Sequence, residues 1–187
     1  YISSYFTKKH IFGLNPFSSH FQNNKLSDLI ELQSNGINIP DTYVNHVPET
    51  SNKLLVKDNW GFGGFGVNSY DKNKETNIYS EHIQAFITSD GGTDWRVLLI
   101  NGKAFPYLIE RHPSQNDFRT NKFQGGDSII HDSNHGLYEP LTRIAERAGL
   151  ILDIAYAGVD LKTGLEGNIY VLEVNRTPSL RFNKEFV

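Results

Sequence analysis

Four glycines fall within six positions, Gly61, Gly63, Gly64 and Gly66, just after the apolar run Lys53-Leu-Leu-Val-Lys57. A run of that length and composition predicts a short buried strand, and glycines at such density let backbone N–H groups come close to a bound anion. No Gly-Lys-Ser or Gly-Lys-Thr follows the loop, which rules out a Walker-type phosphate loop. No helix stands behind it either, which rules out the dinucleotide fingerprint of a doubly wound sheet. The next apolar run is Ile83-Gln-Ala-Phe-Ile87, so the order is strand, glycine loop, strand. Taken alone, the loop reads equally well as a phosphate-covering flap and as an ordinary flexible hairpin.

The flanking sequence predicts a mixed α+β chain. Residues 1–23 are rich in aromatics, Ser and Asn without a clear period and read as a connector or the remnant of a preceding domain. Leu26, Leu29, Ile30 and Leu32 follow helical spacing, with Asn35-Gly36 as the stop. Residues 94–100 and 104–109 form a hairpin turned at Asn101-Gly102, a strong type I′ signal. Residues 137–150 carry a second helical pattern. Two further strands, 155–160 and 168–174, are joined by a polar insert taken as residues 162–167. Trp95 alternates with Asp94 and Arg96 and is expected in the core.

Composition narrows the chemistry. The 187 residues include 18 basic and 21 acidic side chains, 38% apolar residues and no cysteine. Thiolate catalysis, disulfides and cysteine zinc sites are excluded, no stretch approaches a membrane span, and no general footprint for nucleic acid is present. Residues 1–10 lack the apolar stretch of a signal peptide, so a cytoplasmic location is the default expectation. Histidines 10, 20, 46, 82, 112, 131 and 135 show no metal spacing, and most are expected to be exposed. No pattern in the chain specifies an oligomeric state.

Oxygen donors near the C-terminus read, taken alone, either as solvent-facing polar residues of an edge hairpin or as ligands of a hard cation. Magnesium takes carboxylate and amide oxygens and usually keeps waters, so two or three protein ligands suffice when phosphates complete the shell. Glu173 and Asn175 in Leu172-Glu-Val-Asn175 are two apart, which on a strand puts both on one face and leaves Leu172 and Val174 to pack on the other. Asp160 on the neighbouring strand supplies a second carboxylate.

Five blocks together resemble the ATP-grasp superfamily, in its RimK-type branch. They are Asn24-Lys-Leu with Gly36-Ile-Asn-Ile-Pro40; Leu55-Val-Lys57 with the glycine loop; Ile83-Gln-Ala-Phe-Ile87 with Asp94-Trp-Arg96; Arg111 with Asp117-Phe-Arg-Thr-Asn121 and Gly125-Gly126; and Ala157-Gly-Val-Asp160 with Leu172-Glu-Val-Asn-Arg-Thr-Pro178. The resemblance covers residues 24–180. It implies an ATP-grasp fold, two α+β lobes whose antiparallel sheets clamp ATP, with a small lobe over residues 24–87 and a large lobe over 88–187. The domain that usually precedes this fold is expected to be missing or reduced, and the small-lobe links are shorter than the family's.

The resemblance also implies roles. Lys57 matches the lysine that contacts ATP phosphates, and Gly63 and Gly64 belong to the flap above them. Ala85, Phe86 and Ile87 match the hinge whose backbone pairs with adenine. Ala85 stands where the family usually has glutamate, which bears on nucleotide preference. Asp94 matches an acidic nucleotide contact. Arg119, Thr120 and Asn121 match a phosphate- and metal-side motif, with threonine in place of serine. Arg111 matches an arginine that neutralises the transferring phosphoryl group, and Lys25 a second phosphate lysine of some members. Asp160, Glu173 and Asn175 match the ligands of magnesium or manganese, two ions being expected. The implied function is an ATP-dependent carboxylate–amine ligase that forms an amide through an acylphosphate, on small-molecule or peptide substrates. A small-molecule kinase on the same fold and a noncatalytic nucleotide-binding module stay open.

Overall fold

The structure is a computed structural model and describes Asn15 and residues 24–44, 47, 49, 53–61, 65–73, 80–115, 117–120 and 125–178. The chain forms helix α1 (Lys25–Ser34), strands β1 (Thr42–Tyr43), β2 (Leu54–Asp58), β3 (Val67–Ser69) and β4 (Glu81–Ala85), and a 3-10 turn (Asp90–Gly92). Strands β5 (Asp94–Ile100), β6 (Lys103–His112) and β7 (Asp127–Asp132), helix α2 (Tyr138–Ile151), and strands β8 (Ala157–Thr163) and β9 (Ile169–Asn175) follow. They build a four-stranded sheet in the order β1-β4-β2-β3 and a five-stranded sheet in the order β7-β6-β5-β8-β9. Every described ladder is antiparallel, as the α+β reading expected.

Local chemistry accounts for the turns. Asn101 and Gly102 both take positive φ, 55° and 72°, as a type I′ turn requires, and Ile100 pairs with Lys103 across it. Farther along this hairpin the register slips: Val97 faces Leu108 but Leu99 faces Ala104. Pro106 lies in the slipped stretch, where its missing N–H costs no ladder bond. At α1 the Asn24 side chain accepts the Ser27 N–H at 3.1 Å, an N-cap, and Gly36 ends the helix at φ 75°.

One face of the five-stranded sheet carries the core. Trp95, Val97 and Leu99 of β5, Leu108 of β6, Val159 and Leu161 of β8, and Val171 and Val174 of β9 are buried there. Leu141, Ala145 and Ala148 of α2 and Leu29 and Leu32 of α1 cover them. A Cβ on Gly149 would lie 2.6 Å from Leu99 Cδ1, so α2 packs closely against β5 at this glycine. Helix α1, grouped with the small lobe in the sequence, shares its core with the larger sheet and contacts β9 and α2. No helix among the described residues is long and apolar enough to cross a membrane.

Three expectations are corrected. The alternation Leu172, Val174 is interrupted by a bulge: Asp160 faces Glu173 but Leu161 faces Val171, so Leu172 is the extra residue and Val171 joins Val174 in the core. A bulge adds one residue to one strand and re-aims its neighbours, which an alternation rule cannot anticipate. Lys162 is not in the polar connection, because β8 runs through it to Thr163 and pairs it with Tyr170. None of the described histidines is exposed: His82 is buried and His112, His131 and His135 are half-buried. His131 is held by Glu110 at 2.7 Å and stacks on His135 at 4.5 Å. His10, His20 and His46 lie outside the described residues.

Candidate active site

The face of the larger sheet opposite the core carries a charged row that follows from register. Asp94 faces Arg111 across β5–β6, Arg96 faces Asp160 across β5–β8, and Asp160 faces Glu173 across β8–β9. Arg111 Nε donates to Asp94 Oδ1 at 2.6 Å, and its Nη2 lies 3.1 Å from Asp160 Oδ2. Arg96 donates to both Asp160 oxygens, at 2.7 and 2.8 Å. Thr120 donates its hydroxyl to Asp94 Oδ2. Burial alone would raise the Asp160 pKa, but Arg111 and Arg96 outweigh it and hold the carboxyl below its ordinary value. Burial likewise acts to lower the Arg111 value, and Asp160 and Asp94 reverse it, so this guanidinium is more firmly charged than usual.

The smaller sheet presents a second set. Leu55 and Lys57 of β2 face Gln84 and His82 of β4, so these four side chains share one face. Lys57 Nζ donates to Gln84 Oε1. Burial lowers the Lys57 pKa to about 8, against the pull of Glu173, while Lys25 lowers it further. His82 Nδ1 lies 2.6 Å from Asn59 Oδ1, and its Nε2 is buried without a hydrogen-bond partner. Burial, then Lys57 and Lys25, depress the His82 pKa to about 3. The ring is therefore neutral, with Nδ1 carrying the proton donated to the Asn59 oxygen.

Lys25 opens α1 and its Nζ lies 3.4 Å from Glu173 Oε2. Arg176 fixes the helix there, with Nη2 on Asp28 Oδ1 at 2.8 Å in a buried pair. At the end of the glycine-rich segment, Gly66 has φ 78° and a Cβ on it would lie 2.6 Å from Asp58 Cβ. At Gly61 an added Cβ would meet the Phe65 carbonyl at 2.7 Å. Gly63, Gly64 and Asn121 lie outside the described residues.

At the end of β4, Ala85 and Phe86 donate their N–H groups to the Asp41 and Lys53 carbonyls at 2.8 and 2.9 Å. The Phe86 ring stands edge-on to Phe118 at 5.9 Å. Ile87 follows β4 and lies near Gly164, 3.7 Å from the Cβ position there. Arg119 bonds Asp117, with Nη2 on Oδ2 at 2.7 Å, and Thr120 beside it bonds Asp94 of the charged row. Sequence reasoning named Arg96 only inside a motif and assigned nothing to Gln84, His82, Asn59 or the Asp28–Arg176 pair. For Arg96 the available signal was its spacing of two from Asp94, which puts both on one strand face.

The donor set fits magnesium or manganese. Asp160 and Glu173 are neighbouring carboxylates on one face, and Asn175 adds an amide oxygen by strand spacing. Among the described residues no group of three or more His, Cys, Asp and Glu could hold an ion alone. Protein cations neutralise both carboxylates, through Arg96 and Arg111 on one and Lys25 on the other. Phosphates and water are needed to complete a shell, which is the habit of magnesium.

Two antiparallel sheets, with Lys57 on the smaller and a carboxylate–arginine row beside Lys25 on the larger, are the arrangement of the ATP-grasp class. In fold the chain is similar to the L-amino acid ligase of Bacillus licheniformis, with a TM-score of 0.69 and 22% identity over 93% of this chain and 45% of that one. It is also similar to the ATP-grasp ligase PsnB, solved with a phosphomimetic variant of minimal precursor, Mg and ADP. That match has a TM-score of 0.67 and 20% identity over 90% of this chain and 54% of that one. In sequence it is 30% identical over 167 residues to a probable alpha-L-glutamate ligase of Xanthomonas oryzae pv. oryzae, covering 80% of this chain and 55% of that protein. The profile of the RimK-like ATP-grasp domain matches residues 22–186. The chain belongs to the RimK-like ATP-grasp family. It spans about half the length of the curated relatives it matches.

Proposed function

We propose that this chain binds ATP between its two sheets and serves an ATP-dependent carboxylate–amine ligase acting on an amino acid or peptide. The observation that carries this reading is the Arg111–Asp94 and Arg96–Asp160–Glu173 row on the larger sheet's free face, with Lys57 drawn electrostatically to Glu173, Asp160 and Asp94 from the other sheet. The names of the relatives, glutamate and amino acid ligases among them, support the same reaction class.

In this reading a substrate carboxylate oxygen attacks the γ-phosphorus of ATP, and the bond from that phosphorus to the β-bridging oxygen breaks, giving an acylphosphate and ADP. An amine then attacks the acyl carbon, phosphate leaves with the C–O bonding electrons, and the nitrogen loses a proton. No protein nucleophile is needed, only positioning and charge neutralisation. Lys57 and Lys25 hold phosphate oxygens, Arg111 and Arg119 neutralise the transferring group, and Asp94 and Thr120 keep Arg111 in place. Ala85, Phe86 and Ile87 flank the base, and the family resemblance assigns Gly63 and Gly64 to covering the phosphates and Asn121 to contacting them. Asp160, Glu173 and Asn175 would hold up to two magnesium or manganese ions. When bound, these supply positive charge to the phosphate oxygens.

The test is ADP release that requires magnesium, ATP, a carboxylate and an amine together, and that disappears in Asp160→Ala and Glu173→Ala. Mass spectrometry of the product decides the class. An amide supports the ligase, and a stable phosphoester in its place means a kinase.

A further inference from the structure

Lys162 is a residue of the cleft that neither the motifs nor the proposed chemistry uses. It lies two positions past Asp160 on β8, which puts it on the same sheet face, and it is buried at 5% exposure. Its Nζ donates to the Gly92 carbonyl at 2.9 Å and lies 5.4 Å from the Phe86 ring centroid. Asp94 acts on it as an opposite charge but is bonded by Arg111 and Thr120, and among the described residues no carboxylate forms an ion pair with Lys162. Lys53 adds a second ammonium 4.5 Å from both the Phe86 and the Phe118 rings, also without an ion pair among the described residues.

An ammonium has three donors, and a buried charge is costly unless those donors find acceptors. Lys162 spends one on a neutral carbonyl. It stands between the hinge, where Phe86 and Ile87 flank the end of β8, and Asp94 at the head of β5. Resting on the ATP reading above, we propose that Lys162 is a specificity-determining residue that donates a hydrogen bond to an acceptor atom of the nucleoside, on the purine ring or the ribose, rather than to the phosphates. A cation at this end favours acceptor edges of the ligand. Ala85 contributes no side-chain acceptor at the hinge, so Lys162 is the ionic contact with which this chain reads the nucleoside.

Binding of magnesium nucleotides is measured by calorimetry with the unmodified chain, Lys162→Leu and Lys162→Met, the second keeping the unbranched stem. The probes are ATP, 3-deaza-ATP, 7-deaza-ATP, 2′-deoxy-ATP, 3′-deoxy-ATP and inorganic tripolyphosphate. The expected result is about tenfold weaker ATP binding in both variants, the scale of one charge-assisted hydrogen bond, with tripolyphosphate unchanged. One analogue should lose about the same factor on the unmodified chain and nothing further on the variants, which names the acceptor as base or ribose. Equal analogue penalties in all three proteins overturn the inference and leave Lys162 as a tie to Gly92. An equal loss for tripolyphosphate overturns it in favour of a phosphate contact. Failure of the unmodified chain to bind ATP overturns the ATP reading and this inference together, whereas ATP binding without analogue discrimination overturns this inference alone.

Discussion

Asp160 stands directly opposite Glu173 in the β8–β9 register, and each is neutralised by cations from other elements, Arg96 and Arg111 for the first and Lys25 for the second. The two carboxylates can lie side by side because neither charge is left uncompensated. Removing Asp160 leaves the Arg96 guanidinium without the carboxylate that pairs it and takes one of two carboxylates from Arg111, in a buried setting. Asp160→Ala is therefore expected to cost about 3–5 kcal/mol of stability, the usual size for breaking a buried pair from one side. Urea denaturation of the two proteins measures it, and a loss below about 1 kcal/mol contradicts the account.

Lys57 carries a pH dependence with opposite signs for binding and stability. Burial brings its pKa to about 8 from an ordinary 10.5, so the ammonium that meets phosphate is lost as pH rises through about 8. Affinity for ATP is expected to be flat below that value and to fall above it. Between about 8 and 10.5 the unfolded chain holds the extra proton, so this group's contribution to stability rises with pH. Lys57→Arg should abolish the inflection in binding, read from dissociation constants between pH 7 and 9.5.

His82 makes the protein acid-sensitive. Its folded pKa of about 3 lies below the ordinary 6.5, so the unfolded state takes up a proton first as pH falls. The stability that the neutral ring contributes is complete above about 6.5 and drains away toward about 3, with a slope approaching about 1.4 kcal/mol per pH unit. The double variant His82→Leu with Asn59→Val, which replaces both members of the buried pair, should show a flatter stability curve over that window. Melting curves at several pH values decide it.

Gly126 packs directly against the backbone of Thr120, whose hydroxyl bonds Asp94. A Cβ there would lie 2.4 Å from the Thr120 carbonyl oxygen and 2.8 Å from that of His112, both backbone atoms with no freedom to yield. Gly126→Ala is expected to destabilise by about 1–3 kcal/mol, as overpacking does, and to pull the Thr120 hydroxyl off Asp94. Turnover should fall more than ATP binding, because Asp94 orients Arg111 rather than closing the nucleotide slot. Parallel measurement of binding and ADP release separates the two, and equal losses contradict this role.

The sequence by itself determined the α+β class, the Asn101-Gly102 turn, and the core positions Leu29 and Leu32 of α1, Leu141, Ala145 and Ala148 of α2 and Trp95 of β5, although Ile30, counted with the α1 face, is exposed; it nominated the candidate residues from Lys25 to Asn175. Each of these depends on residues close together in the chain: a helical or alternating period, or a turn that needs positive φ at two adjacent positions. Tertiary structure decided which charges meet. Arg96 and Asp160 are 64 residues apart and Arg176 and Asp28 are 148 apart, so no local pattern marks either pair. The bulge at Leu172, the buried His82–Asn59 pair and the inclusion of Lys162 in β8 have the same origin. Each is set by the strand or helix packed alongside, whose register is chosen by the whole core rather than by the neighbouring sequence.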